Sequence, residues 1–228
     1  MKSSKKTARY VGAFFLTSNV VFILGALVFI EPILGAPDYL SLVSANRAQV
    51  VLGVLLELIN AVAYLGIAVL MFPILKQRFE SMALGYIGFR IIESVMQILS
   101  GLSPLFLVTL SEEFVRAGAS AASSYQTTGI ILLAQRYWAF QMVSISLVLG
   151  ALLFYSMLYQ SKLIPRFISI WGLLGAVVVL ANTLFDMLGL PPGNLGVVML
   201  LNELFLGVWL IVKGFNQSAI DSLAAKSE

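Results

Sequence analysis

The sequence predicts an all-α fold: a polytopic membrane bundle of about six transmembrane helices with both termini in the cytoplasm. Three observations carry that reading. Of 228 residues, 60% are hydrophobic and only 11% are charged, whereas a soluble domain carries about 25% charged residues. Apolar runs of the ~20 residues needed to span a bilayer recur along the whole chain. The basic residues between those runs alternate in abundance, as the orientation rule for membrane proteins requires.

The runs fall at residues 10–30, 50–75, 82–110, 137–158, 168–188 and 195–212. The first follows Lys2, Lys5, Lys6 and Arg9. It is long enough to span, and Gly35-Ala36-Pro37 is a poor cleavage site, so it reads as a retained helix. The second lies between Arg47 and Lys76, and Pro73 is expected to kink its end. The third lies between Glu80 and Glu112-Glu113. The fourth opens on Tyr137 and Trp138, rings suited to the headgroup level. The fifth ends at Gly189-Leu190-Pro191-Pro192-Gly193, and the sixth at Lys213-Gly214. Together, residues 1–228 read as a single six-helix domain, with 216–228 a short cytoplasmic tail.

Orientation follows from the loops. Lys2, Lys5, Lys6, Arg9, Lys76, Arg78, Lys162, Arg166, Lys213 and Lys226 give ten basic residues to one side. Arg47, Arg116 and Arg136 give three to the other, and Arg90 lies inside a helix. Such an excess places the N- and C-termini in the cytoplasm and the bundle in the cell (plasma) membrane. Two outer connectors are longer than turns, 31–49 and 111–136. In the second, the small polar stretch 120–128 precedes an apolar tail, 129–134. The tail reads either as solvated connector, as a short interfacial helix, or as an extension of the fourth helix. Residues 71–77 faintly echo 154–160, which suggests either a duplicated helical hairpin or chance.

Composition also excludes chemistries. With no Cys and no His, disulfides, thiolate nucleophiles, Cys or His metal sites and His acid–base catalysis are out. A carboxylate site for a hard cation stays open, although no metal or cofactor is expected. The net charge of +3 belongs to the membrane flanks and implies no nucleic-acid partner. The expected partner is the lipid bilayer, with a homodimer as the assembly that would suit so small a bundle.

The informative residues are the polar ones inside the runs. Ionisable groups there cost roughly 2.5–3.5 kcal/mol each and face the bundle interior. They are Glu57, Arg90, Glu93, Asp186 and Glu203, accompanied by Asn19, Asn60, Gln97, Gln141, Ser144, Asn182 and Asn202. Glu57 and Asn60, then Arg90, Glu93 and Gln97, then Asn182 and Asp186, are spaced by three or four and so share helix faces. At ~1.5 Å rise per residue, the acids converge on the middle and outer half, with Arg90 beneath. Arg90 is expected to form a structural ion pair with Glu93 or Glu203. The acids left over must be protonated, hydrated or met by a cation. Candidate ligand-binding residues are therefore Glu57, Asn60, Glu93, Gln97, Gln141, Asn182, Asp186, Asn202 and Glu203. Gly25, Gly85, Gly88, Gly172 and Gly175 read as points of close helix approach.

Three elements carry a resemblance. They are Arg90-Ile91-Ile92-Glu93-Ser94, then Leu163-Ile164-Pro165-Arg166 with Ser169-Ile170-Trp171-Gly172. The third is Asn202-Glu203-Leu204 with Trp209-Leu210-Ile211-Val212-Lys213-Gly214-Phe215. Together they resemble a family of bacterial multi-helix membrane proteins catalogued as a domain of unknown function. The resemblance spans roughly residues 6–215. It implies an intact bundle in a bacterial inner membrane, with Arg90, Glu93 and Glu203 as family-type polar positions, and it implies no reaction.

Three functions compete. The first is binding or transport of a small cationic or amphipathic ligand through an acid-lined outer cavity. The second is a structural or regulatory membrane protein whose polar core only fixes helix packing. The third is a lipid enzyme using paired carboxylates, for which the residues give the least support, since no nucleophile setting is present.

Overall fold

The computed structural model describes residues 2–118, 122–191, 193 and 196–225. Pro192, Ser120, Leu195 and Lys226, which entered the reading of the loops and of the sixth helix's start, lie outside the described residues. Every regular element among them is helical. In order these are α1 (Lys2–Phe22), a π-helical stretch (Ile23–Ile30), α2 (Glu31–Leu34), α3 (Tyr39–Ala45) and α4 (Arg47–Ala117). Then come α5 (Ala122–Ser161), α6 (Arg166–Met187), α7 (Val197–Val212) and α8 (Gln217–Ala224).

As a straight rod the 71 residues of α4 would reach about 107 Å, several times a bilayer core. The helix instead doubles back at Phe79, whose backbone (φ −130°, ψ 46°) leaves the helical region. Contacts on either side of that point prove the reversal. The Ser94 hydroxyl donates to the Ala61 carbonyl at 3.0 Å, and Arg47 bridges Glu112 at 2.6 Å. Each pair is nearly equidistant from Phe79. The inner loop expected between the second and third runs is thus a single residue. Pro73 lies inside the first arm without leaving helical dihedrals, and the reversal itself comes six residues later.

The outer connectors are also more helical than expected. Residues 111–117 continue α4, and 122–136 begin α5. Thr127 and Thr128 hydroxyls donate back to the carbonyls of Ser123 and Ser124, so polar residues are absorbed by the helix. Of the three readings of the apolar tail at 129–134, extension of the fourth helix is the one seen. Connector 31–49 holds α2 and α3, and Tyr39 of α3 reaches across to the Gln126 carbonyl. The tail after residue 216 contains α8, capped by Asn216, whose side chain accepts from the Ser218 N–H.

A large core joins α1, α4, α5, α6, α7 and α8 through Phe15, Ile67, Met71, Tyr86, Phe154, Leu206 and their neighbours. A smaller one, with Ile30, Leu40, Val50 and Leu107, sits at the end that carries α2 and α3, expected from the loop charges to be the outer one. Large apolar side chains such as Val62, Val69, Leu84, Ile91, Leu174 and Val177 stay exposed. On a water-facing surface such a belt would be an aggregation hazard; here it is the lipid face. The chain is an all-α polytopic membrane bundle.

Two glycine pairs set the closest approaches of one backbone to another. A Cβ on Gly12 would meet the Gly207 carbonyl at 2.6 Å, bringing α1 against α7. A Cβ on Gly25 would meet the Gly53 carbonyl at 2.8 Å, pressing the π-helical stretch against α4. Gly88, expected to serve the same end, has nothing within 4 Å of its Cβ position, so packing does not require glycine there. Gly25→Val should therefore destabilise by about 1–3 kcal/mol through overpacking, whereas Gly88→Ala should leave stability unchanged or raise it. Thermal unfolding of both variants in detergent checks the contrast.

Candidate functional site

Polar side chains form a column along the bundle axis, in three tiers. The outer tier is built on Arg136 of α5. Its Nη2 donates to Glu57 Oε1 at 2.7 Å and its Nη1 to Glu57 Oε2 at 3.2 Å. The guanidinium fork thus grips one carboxylate with two bonds, a geometry lysine cannot copy. The Nε and Nη2 also donate to Glu31 Oε1 at 3.1 and 3.0 Å, and Nη1 donates to the Ser100 carbonyl at 3.4 Å. Arg136 and Glu57 are 5% and 1% exposed, so this pair lies deep, while Glu31 reaches the surface. Nearby, Gln141 donates to Asp186 at 2.6 Å. Glu31, Arg136, Tyr137, Gln141 and Asp186 line an outer cleft of about 460 Å³.

Beneath the cleft, Phe22 and Phe140 stack with ring centres 6.1 Å apart and planes 14° from parallel. Both rings line the outer cleft, and both also line a second, inner cavity of about 160 Å³. The stack is shared by the two linings. Phe22 is the residue from which the π-helical stretch begins, and such stretches are frequent at functional sites.

The inner cavity is the middle tier. Its polar lining is Asn19, Asn60, Tyr64, Gln97, Ser144 and Glu203. Three buried atoms among these have no hydrogen-bond partner: Glu203 Oε1, Asn60 Oδ1 and Gln97 Nε2. Glu203 Oε2 receives one long bond, from Asn19 Nδ2 at 3.4 Å. Glu203 is 3% exposed.

The lowest tier is Arg90. Its Nη1 donates to both Glu93 oxygens, at 3.0 and 2.8 Å, and its Nε to the Tyr86 hydroxyl at 3.3 Å. The guanidinium carbon lies 4.7 Å from the Tyr64 ring centre and 5.3 Å from that of Tyr86, a cation–π setting. The i,i+3 spacing of Arg90 and Glu93 on one helix face makes this bridge local.

The structure thus gathers Asn60, Gln97 and Glu203 at one cavity. It sends Glu57 to Arg136, Glu93 to Arg90, and the pair Gln141 and Asp186 to the outer cleft. Asn202 faces α6 instead, donating to the Ile168 carbonyl at 3.0 Å, and Asn182 lies away from the cavity lining. Glu203 is not bonded to Arg90, which the ion pairs assign to Glu93 alone. Arg136, counted in the sequence as an outer-loop charge, is a buried member of the outer tier. The signal for it was its spacing of four to Phe140 and of eight to Ser144, which put the three on one helix face.

A family model described as "Domain of unknown function (DUF4386)" matches residues 10–214. The chain belongs to that family. The DUF4386 match takes in all three tiers, from Asn19 to Glu203. No curated protein and no solved structure matches the chain.

The outer tier has a direct test. Arg136→Met leaves Glu57 buried without its cation and should cost about 3–5 kcal/mol. The double change Arg136→Met with Glu57→Leu removes the uncompensated charge and should recover most of that loss. Unfolding midpoints of the two variants, measured side by side, check the recovery.

Proposed function

We propose that this protein binds a small organic cation in the inner cavity, with Glu203 as its counter-charge. Charge accounting carries the reading. Among the described residues the buried acids are Glu57, Glu93 and Glu203, and the buried arginines are Arg90 and Arg136. Each arginine is bridged to another carboxylate, so Glu203 faces the cavity with no ion pair of its own among the described residues. A buried carboxylate in that position is costly unless a proton or a cation meets it.

The lining chemistry narrows the ligand class. Glu203 Oε1 and Asn60 Oδ1 accept, and an ammonium group supplies several donors. The Tyr64 ring borders the same space and favours a cation over its face. Gln97 offers its unpartnered amide to an acceptor on the ligand, such as a hydroxyl. A short amine bearing a hydroxyl meets all four groups and suits a space of about 160 Å³. The outer cleft is the vestibule from which it enters, past Phe22 and Phe140. In this reading the chain is a single six-helix domain of the plasma membrane with cytoplasmic termini. The vestibule then opens to the outside, because the ten-residue basic side faces in.

Arg90 turns its Nη1 to Glu93 and its Nε to Tyr86, and in this reading its part is to fix helix packing. The ligand reading therefore rests on Glu203. Purified protein should show a rise in unfolding temperature with ethanolamine-sized amines, since binding to the folded state stabilises it. Glu203→Gln should abolish that rise while keeping the fold, and equal stabilisation of both proteins would refute the assignment.

A further inference from the structure

At the opposite end of the bundle from the vestibule, the turn after α5 and the turn after α7 are tied together. The Asn216 N–H donates to the Leu163 carbonyl at 2.8 Å. Both turns are tight. Gly214 has φ 73° and Lys162 has φ 58°, a left-handed backbone that a non-glycine residue seldom adopts. Between them lies a cleft of about 460 Å³ whose rim holds Lys162, Arg166 and Lys213, with Trp209 on its wall.

The three cations are exposed. Among the described residues, the ion pairs engage Arg47, Arg90, Arg116 and Arg136 and none of these three. The Arg166 guanidinium carbon lies 4.8 Å from the Tyr159 ring centre, which holds the planar fork in place. Three positive charges at one cleft repel one another, and the described residues supply no counter-charge. The cleft stands where helices α5, α6 and α7 leave the apolar belt, the level at which an amphipathic ring such as Trp209 sits.

We propose that this cleft is a binding site for the phosphate of an anionic phospholipid headgroup. The phosphodiester is bridged by Lys162, Arg166 and Lys213, and the acyl chains run down the exposed apolar surface beside it. Arg166 reads two phosphate oxygens with its fork, and the lysines act as point charges. Basic pockets between transmembrane helices recognise headgroups in this way. The site is separate from the inner cavity and does not depend on the ligand assigned there.

The test uses purified full-length protein in a neutral detergent. Its unfolding temperature is measured with added phosphatidylglycerol, with phosphatidylcholine, and with glycerol 3-phosphate as the headgroup alone. Phosphatidylglycerol should raise the temperature by about 5 °C or more near saturation, and phosphatidylcholine should not. The triple variant Lys162→Gln, Arg166→Gln, Lys213→Gln should lose the rise. A control removing Lys76 and Arg78, basic residues of the other turn at this end, should keep it. Glycerol 3-phosphate alone giving the full rise in wild type would overturn the lipid source. An equal rise in the triple variant, or no rise in wild type, would overturn the site. Should the triple variant fail to fold, Lys213→Gln alone must weaken the rise for the proposal to stand.

Discussion

The cost of placing charge in hydrocarbon governs this bundle. Arg136 can lie buried because Glu57 takes its fork in two bonds and Glu31 takes the remaining edge. That cluster ties the end of the π-helical stretch, the first arm of α4 and α5 into one unit at the end that carries α2 and α3. Arg90 is held at the other end of the polar column by Glu93 and two tyrosine rings. The helices between have little freedom to rotate, because rotation would strand a charge in lipid.

With both arginines committed, the middle of the column is left under-satisfied. Glu203, Asn60 and Gln97 each present an unpartnered atom, and they line one space. Most buried polar groups in folded proteins find partners. Of seven buried side-chain atoms without a partner among the described residues, these three share one cavity, and the proposed ligand site rests on that. The stacked pair Phe22 and Phe140 belongs to the lining of both this cavity and the outer cleft. The π-helical stretch that begins after Phe22 gives that ring a backbone less regular than a plain helix would.

Much of the fold was legible in the sequence, because lipid enforces long apolar runs and their flanking charges are counted easily. The Arg90–Glu93 bridge was legible too, since i,i+3 spacing is local. The errors lie where hydropathy and helicity part company. Residues 122–128 are mostly small and polar, and so resemble a loop, yet the Thr127 and Thr128 hydroxyls bond to their own backbone and the helix continues. Counting Arg136 with the connector concealed its burial. Glu203 was readable as buried and acidic, but its distance from Arg90 was not. It depends on how α7 is rotated against α1, and that is fixed by the contact of Gly12 with Gly207. No local pattern encodes a meeting of residues so far apart in the chain.

The absence of native cysteine permits a clean measurement of the central assignment. With a single Ser144→Cys in the inner cavity, modification rates are compared for a small cationic thiosulfonate reagent and an anionic one of similar size. A cation-selective cavity governed by Glu203 requires faster reaction with the cationic reagent, and loss of that preference when Glu203→Gln is added. Equal rates for the two reagents, or a preference that survives Glu203→Gln, would contradict the assignment.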